Sequence, residues 1–258
     1  MSGLQQPTAA DIRMLRGLTT RRERDSQGLF LAEGEHLVQE AIREGLALYL
    51  LVSFSRSAQY AAYASVSLPL HTVPDRVFSQ LSDTRAPQGI LAVCRLPDPA
   101  MGLGPRIVAL NGVQDPGNVG TILRTADAAG FTGVLLDAQC ADFLSAKALR
   151  ASMGSAMRVP VQVCEDLPAA VQGLTEHAII AASLDGEDFY GRSALPHRLC
   201  LLVGSEGAGL SGELLSMADH VYRLPMMGRA ESLNAAVAAS IMMYDFLRVR
   251  AETGESFV

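Results

Sequence analysis

The chain has 258 residues, and its formal net charge of −6 at pH 7 argues against a surface coated with basic residues for general nucleic-acid binding. No apolar run approaches the ~20 residues that a membrane-spanning helix needs, and the first residues lack the pattern of a signal peptide. The four cysteines form no Cys-x-x-Cys pair, so the sequence indicates no metal site and no redox motif. We therefore expect reduced thiols in a cytoplasmic protein.

Helical and strand patterns alternate over the first hundred residues, as in an α/β domain. The spacing of Ile12, Leu15 and Leu18 predicts an amphipathic helix over about residues 8–18. Residues 97–105 contain three prolines and two glycines and are predicted to form a linker. Further helices are predicted at 33–44, 58–64 and 74–81, and strands at 29–32, 47–53, 69–73 and 88–94.

Three arginines stand close together after the first predicted helix, at Arg21, Arg22 and Arg24. One interpretation is a solvated helix end. The other is a patch that contacts RNA phosphates, since arginine binds phosphate oxygens well. Both interpretations remain open at this point.

A second α/β pattern begins at Arg106, so the predicted domains are residues 1–96 and 106–258. Its final helix is predicted at 232–250, with Ser232 as the N-cap. Apolar residues cover most of this helix's circumference, which is typical of a central core helix or of one shared with a homodimer interface. Strands are predicted at 107–110, 133–136, 159–163, 178–183, 200–203 and 220–224, and the other helices near 118–129, 143–151, 166–173 and 211–217.

The first strand of this half leads into a turn rich in proline, glycine and asparagine. The sequence from Asp115 to Asn118 favours a tight turn, and Asn118 is predicted to be the N-cap of the next helix. Arg124 then lies in the second helical turn, where the helix dipole disfavours a cation. An anionic ligand or a buried carboxylate is therefore expected beside it, unless this is an ordinary turn with a solvated arginine.

A second buried strand leads into a glycine-rich loop that carries one acidic residue, Glu206. Gly207, Gly209 and Gly212 match the dinucleotide-binding spacing Gly-x-Gly-x-x-Gly. We reject a dehydrogenase because three residues separate the strand from Gly207, the next helix is short, and no acidic residue ends the following strand. Glu206 is either solvated or the charge that compensates Arg124.

Three separate blocks of this half, Asn111 to Ala126, Leu201 to Leu210 and Leu224 to Asn234, resemble the signatures of the SpoU (TrmH-like) RNA 2′-O-methyltransferases. The first block reads Asn-x-x-Asp-Pro-x-Asn-x-Gly-x-Ile-x-Arg-Thr-Ala. In the first half, Phe30 to Gly34 and Ser82 to Ile90 resemble the L30e-like substrate-binding domain that precedes the catalytic domain in many of these proteins.

The resemblance implies an N-terminal L30e-like α/β/α domain and a C-terminal SPOUT-type parallel-sheet domain with a trefoil knot. It implies S-adenosylmethionine as the cofactor and a ribose 2′-hydroxyl of RNA as the methyl acceptor. It also implies a homodimer formed through the C-terminal domain. The catalytic residues it implies are Asn118, Arg124, Glu206, Ser232 and Asn234, and the cofactor-binding residues are Leu184, Gly204, Gly207, Leu224, Met226 and Leu233.

Within that family pattern, Arg124 occupies the position assigned to deprotonating the ribose. A guanidinium with a pKa above ~12 is a poor base, so we favour an arginine that orients the nucleotide and stabilises negative charge on the attacking oxygen. Ribosomal RNA is favoured over tRNA as the substrate, because the L30e-like domain often occurs in the members of this family that act on ribosomal RNA. Two other functions stay open, a base-directed RNA methyltransferase and an RNA-binding protein that no longer catalyses.

Overall fold

The computed structural model describes residues 7–65, 67–98, 102–193 and 196–253. The described residues divide into two compact units, one from Met1–Pro97 and Leu144–Arg158 and the other from Asp98–Phe143 and Val159–Val258. Part of the predicted linker, residues 99–101, lies outside the described residues. No helix in the described ranges combines the length and the apolar composition needed to cross a membrane.

A four-stranded sheet forms the centre of the first unit, in the order β1-β4-β2-β3. β3 runs parallel to β2, and β4 is antiparallel to both of its neighbours. Alternate residues of β4 face opposite sides of the sheet. Leu91 and Val93 pack with Leu15 of the first helix and Phe78 of the fourth, and the third helix also contacts this strand. The elements are α1 (Ala9–Gly17), α2 (Arg21–Gln27), β1 (Leu29–Glu33), α3 (Glu35–Arg43), β2 (Ala47–Ser53), β3 (Leu70–Val73), α4 (Asp75–Leu81) and β4 (Ile90–Arg95).

Two parts of this unit differ from the prediction. The helix predicted at 58–64 is a turn that leads into a short 3₁₀ helix, Ala61–Ser65, and another 3₁₀ helix, Phe54–Arg56, precedes it. The arginine segment is not the end of α1 but a separate helix, α2, whose N-cap Thr20 accepts a hydrogen bond from the backbone of Glu23. Hydroxyl capping by Thr20 supports a new helix start that polarity alone did not indicate.

Arg24 of α2 is buried, with only 4% of its surface exposed. Its Nη1 donates a hydrogen bond to the carbonyl oxygen of Leu18 at 2.6 Å, which ties α2 to the end of α1. An RNA phosphate cannot reach this guanidinium while α2 is folded. The prediction that Arg24 contacts RNA is therefore wrong, whereas Arg21 and Arg22 are exposed.

The segment Leu144–Arg158 packs with the first unit, although the predicted boundaries put it in the second domain. Arg158 Nη1 donates to Glu40 Oε2 at 2.6 Å, and the Glu40 side chain is only 7% exposed. At Gly154, where φ is +89°, a Cβ would lie 2.6 Å from Glu40 Cγ, so only glycine fits there. A buried carboxylate is costly without a partner, and Glu40 has two, because Arg158 of this later segment binds one oxygen and Arg43 of α3 binds the other. The assignment of separate functional domains to 1–96 and 106–258 remains a prediction.

The second unit contains a six-stranded sheet in the order β10-β8-β9-β5-β6-β7. All five strand pairs are parallel, which confirms the predicted α/β fold with a parallel sheet. The trefoil knot remains a prediction. The elements of residues 106–253 are β5 (Arg106–Asn111), α5 (Pro116–Ala128), β6 (Gly133–Asp137), α6 (Ala146–Ser152), β7 (Val161–Cys164), α7 (Leu167–Gln172), β8 (Ala178–Asp188), β9 (Leu199–Gly204), α8 (Gly212–Ser216), β10 (His220–Arg223) and α9 (Ala235–Thr253).

The carboxyl ends of the central strands bring polar loops to one edge of this sheet. The last residue of β5, Asn111, is paired with Gly204, the last residue of β9. Helix α5 follows from this edge and buries Ile122, Leu123 and Ala126 completely, as their helical spacing predicted. Ligands of open parallel sheets bind outside the carboxyl ends of the strands, so we expect the site at this edge.

Candidate active site

Helix α5 begins three residues earlier than predicted, because its N-cap is Asp115 and not Asn118. Asp115 is the N-cap, and its Oδ1 accepts hydrogen bonds from the backbone N–H of Gly117 at 2.6 Å and of Asn118 at 3.1 Å. Pro116 occupies the first helical position, where its fixed φ suits a helix and its missing N–H costs nothing. The N-cap prediction for Asn118 is therefore wrong, and its side chain is available for another contact.

That contact joins the three predicted blocks. The Nδ2 of Asn118 donates a hydrogen bond to Glu206 Oε1. The Nδ2 of Asn234 donates to Asn118 Oδ1 at 3.1 Å and to the same Glu206 oxygen at 3.3 Å. Asn118 and Asn234 are 88 and 28 positions from Glu206 along the chain. These three predicted catalytic residues thus form one hydrogen-bonded cluster.

Asn234 also starts helix α9. Its Oδ1 accepts hydrogen bonds from the backbone N–H of Ala236 at 3.0 Å and of Val237 at 3.3 Å. Ser232 is therefore not the N-cap that the sequence predicted. The two ends of the Asn234 amide have separate partners, because the oxygen caps the helix and the nitrogen reaches the cluster.

Arg124 lies outside the cluster. It is the ninth residue of α5, beyond the first turn where the helix dipole acts, so the predicted repulsion at the helix start is wrong. Its side chain is exposed and forms no hydrogen bond or ion pair with any residue that the structure describes. The predicted pairing of Arg124 with Glu206 is wrong as well, since Glu206 accepts from neutral amides instead.

A cavity of about 350 Å³ adjoins the cluster and is lined by Glu206 and Ser232. Its walls come from the middle of β8, the end of β9 and the glycine-rich loop after it, the end of β10 and the segment after it, and the first half of α9. All six residues predicted to bind the cofactor line it: Leu184, Gly204, Gly207, Leu224, Met226 and Leu233.

Several lining residues were not predicted from the sequence, among them Asp185 and Met242. Asp185 follows Leu184 in β8 and lines the cavity, and Met242 lines it from α9. Asp185 could have been found from its place beyond the apolar part of β8, where polar residues of a parallel sheet gather. Met242 gave no separate signal, because a buried methionine in an apolar helix looks like any core residue.

The cysteines take no part in the site. All four are free, and three of them are buried. Burial raises the pKa of Cys140 to about 12, helped by the nearby charge of Asp137, and burial alone raises the pKa of Cys200. Such thiols stay protonated at neutral pH and are poor nucleophiles. In the described ranges, no group of three or more His, Cys, Asp or Glu side chains is placed to hold a metal ion.

Comparison with known proteins identifies similar sequences for both halves of the chain. The model of the SpoU rRNA Methylase family matches residues 105–244, and that of the MRM3-like substrate binding domain matches residues 9–92. A 23S rRNA (guanosine(2553)-2′-O)-methyltransferase, RlmP of Bacillus subtilis strain 168, is 36% identical over 230 residues, which are 88% of this chain and 92% of the relative.

Two solved structures have a similar fold over nearly the whole chain. The AdoMet-bound rRNA methyltransferase from Sinorhizobium meliloti has a TM-score of 0.80 and 31% identity, with 95% of this chain and 97% of that chain covered. The SpoU methyltransferase AviRb from Streptomyces viridochromogenes has a TM-score of 0.83 and 26% identity, with 95% and 98% covered.

Proposed function

The chain belongs to the SpoU rRNA methylase family, and we propose that it transfers the methyl group of S-adenosylmethionine to a ribose 2′-hydroxyl of ribosomal RNA. The observation that carries this proposal is the meeting of Asn118, Glu206 and Asn234 beside a cavity of suitable size. A ribosomal RNA substrate also implies that the protein acts in the cytoplasm.

The cavity suits the cofactor in size and in chemistry. Small-molecule sites commonly have volumes of about 300–1,000 Å³ and mostly apolar walls with a few polar groups. Leu184, Leu224 and Leu233 supply apolar walls, while the carboxylates of Asp185 and Glu206 lie at its lining. A Cβ on Gly204 would lie 2.1 Å from the backbone of Gly209, so a glycine is needed for the loop to fold back here. When bound, S-adenosylmethionine supplies an activated methyl group on a positively charged sulfur.

The protein's own residues then have to place the ribose and manage its charge. Glu206 accepts hydrogen bonds from both asparagine amides, which fixes their orientation at the edge of the cavity. Arg124 carries a guanidinium with no partner in the described part of the chain, so it is available to bind an RNA phosphate and stabilise the developing 2′-oxyanion. Positioning of this kind supplies much of the rate enhancement when the electrophile is already activated.

Methylation of the ribose can be tested directly. A 2′-O-methyl group removes the nucleophile that alkaline cleavage of RNA requires, so the purified protein with labelled cofactor and ribosomal RNA should give label in alkali-resistant dinucleotides. Transfer RNA is the comparison substrate. Label in mononucleotides would indicate base methylation. Measurable cofactor binding without incorporation into any RNA would indicate a protein that binds RNA and no longer catalyses.

We propose that the first unit binds the RNA, because residues 9–92 match a substrate-binding domain. Arg21 and Arg22 are exposed on α2, and the pairing of Arg21 with Asp25 at 3.5 Å is open to solvent and weak. Replacing both arginines with glutamine should weaken RNA binding and reduce the slope of log affinity against log salt by roughly one unit per lost phosphate contact.

The measurement is a salt titration of RNA affinity. A double variant of Arg76 and Arg95, which are also exposed in this unit, removes the same charge elsewhere and serves as the control. If both double variants change the slope equally, the effect is one of net charge, and α2 has no special role.

We also propose a homodimer formed through α9. One face of α9 is buried in the second unit, and the other exposes Val237 at 46% and Tyr244 at 49% of their surface. Apolar side chains that share an exposed helix face favour burial against a partner. Light scattering should give about twice the 27.4 kDa chain mass at micromolar concentration.

Replacing Val237 and Tyr244 with glutamate should shift the protein to the monomer, because a paired interface would have to bury four new charges. Arg198→Glu on the exposed surface of the same unit is the control for added negative charge. A monomeric wild-type protein at this concentration contradicts the proposal.

A further inference from the structure

A buried carboxylate is linked to the glycine-rich loop of the second unit through the side chain of Asn111. Asp137, the last residue of β6, is 8% exposed. Its Oδ2 accepts hydrogen bonds from Asn111 Nδ2 at 2.6 Å and from the Gly112 N–H at 2.8 Å. Its Oδ1 accepts from the N–H groups of Gln139 and Cys140, each at 2.9 Å. All four donors are neutral, so Asp137 is a fixed anchor with its acceptor positions in use.

Asn111 connects this anchor to the loop. While its Nδ2 donates to Asp137, its Oδ1 accepts a hydrogen bond from the Ser211 N–H at 2.9 Å. Ser211 directly follows the loop and caps α8, since its Oγ accepts from the Leu214 N–H. The backbone of Asn111 is at the same time paired with Gly204, where the loop begins. One residue therefore contacts both ends of the loop.

The loop between these ends lines the cavity through every residue from Gly204 to Leu210. Internally it is closed by a hydrogen bond from the Gly209 N–H to the Ser205 carbonyl at 3.0 Å and one from the Ala208 N–H to Ser205 Oγ at 3.2 Å. These bonds shape the loop but do not attach its downstream end to the sheet. The hydrogen bond from the Ser211 N–H to the side chain of Asn111 attaches this end, next to Leu210, which packs in the core.

We infer that Asn111 is a positioning residue, which holds the glycine-rich loop in the shape that binds S-adenosylmethionine by linking Ser211 to Asp137. The inference rests on the proposed function of the cavity. Asn111 does not line the cavity, so it acts on the cofactor only through the loop.

The position requires a donor and an acceptor in one short side chain. An amide supplies an N–H for the carboxylate and an oxygen for the backbone N–H, whereas a carboxylate at neutral pH has acceptors only. Asn111→Ala removes both bonds and leaves the Ser211 N–H and one Asp137 oxygen short of a partner. Asn111→Asp keeps the acceptor but sets two negative charges against each other. Once protonated, the aspartic acid regains a donor and restores both bonds.

The experiment is calorimetric titration of S-adenosylmethionine into the wild-type protein and both variants, from about pH 8 to about pH 5.5. Asn111→Ala should bind about tenfold more weakly at every pH. Asn111→Asp should bind equally weakly at pH 8 and approach the wild-type affinity at the acid end, as the two carboxyls come to share a proton.

The other titratable groups near Asn111 and Asp137 do not explain a rise in the cofactor affinity of Asn111→Asp at acid pH. The thiols of Cys140 and Cys164 face Asp137, and burial followed by the charge of Asp137 raises the pKa of both, so neither titrates in this range. Glu206 on the loop and Glu213 on α8 are present in all three proteins, and the wild-type titration measures their contribution.

A second measurement needs no cofactor. Hydrogen–deuterium exchange at the amides of residues 204–211 should be faster in Asn111→Ala than in the wild-type protein, because the Ser211 N–H loses its acceptor. The control is Asp166→Ala, which removes the side chain that caps α7 with a 2.9 Å bond to the Ala169 N–H. It should lower stability without changing loop exchange or cofactor affinity.

Affinity of Asn111→Ala within twofold of wild type, unchanged loop exchange, or a pH profile of Asn111→Asp parallel to that of wild type would each overturn the inference. A wild-type protein that binds no S-adenosylmethionine would overturn the proposed function and this inference with it.

Discussion

The Arg124→Ala protein should transfer methyl groups about 10³-fold more slowly than the wild-type protein. Arg124 is exposed on α5 and has no partner among the described residues, so its removal costs the folded chain little. In the proposed mechanism the guanidinium acts only once RNA is bound, by orienting a phosphate and stabilising charge on the attacking oxygen. Single-turnover rates with saturating cofactor and RNA measure this effect.

Cofactor affinity separates a catalytic role of Arg124 from a structural one. Arg124 does not line the cavity, so S-adenosylmethionine should bind to the variant within a few-fold of wild type. Arg198→Ala is the control, because Arg198 is also exposed in the second unit and pairs with the exposed Glu176. If cofactor affinity falls as far as the rate does, Arg124 supports the fold of the site and its catalytic assignment is wrong.

The Glu206→Ala protein should show the second-largest loss, about 10²-fold in rate. Glu206 Oε1 accepts hydrogen bonds from the side chains of Asn118 and Asn234. Without this oxygen the two amides lose their common partner and reorient, which displaces the groups that place the ribose. Glu206→Gln keeps one acceptor oxygen in the same position, so its rate should lie between those of the wild type and the alanine variant.

Glu213→Ala is the matched control for loss of an acidic side chain, since Glu213 lies in the nearby first turn of α8 and outside the cluster. Its rate should equal that of the wild-type protein. A Glu206→Ala protein with a rate within twofold of wild type would show that the cluster is dispensable. A Glu206→Gln protein as slow as the alanine variant would show that the negative charge is what matters.

The parallel sheet could be predicted because the information is local, whereas the residues around the cavity were predicted from the family resemblance. Apolar runs such as those of β5 and β9 specify buried strands, and the glycines and polar residues that follow them mark the carboxyl edge of the sheet. Helix starts were less certain. Asn118 and Ser232 are reasonable N-caps from their residue types, but Asp115 and Asn234 were better placed to accept the first free N–H groups.

The contacts that were missed join residues far apart in the chain. Glu40 and Arg158 are 118 positions apart, and Asn234 and Asn118 are 116 apart. Neither pair leaves a trace in periodicity or turn chemistry, because a charged or amide side chain has the same local preferences whether or not it finds a distant partner. Arg24 shows the same limit, since a basic cluster predicts exposure and only tertiary packing buries one member.

The packing of Leu144–Arg158 with the first unit has a consequence for building hybrid proteins from this family. A hybrid joined only near residue 97 would receive Glu40 from one parent and the stretch that carries Arg158 and Gly154 from the other. A mismatched parent would remove one of the two arginines that pair with the buried Glu40 carboxylate and leave Arg43 alone to neutralise it. Exchange of the substrate-binding half therefore calls for a graft in two pieces, 1–97 together with 144–158, transferred as a set.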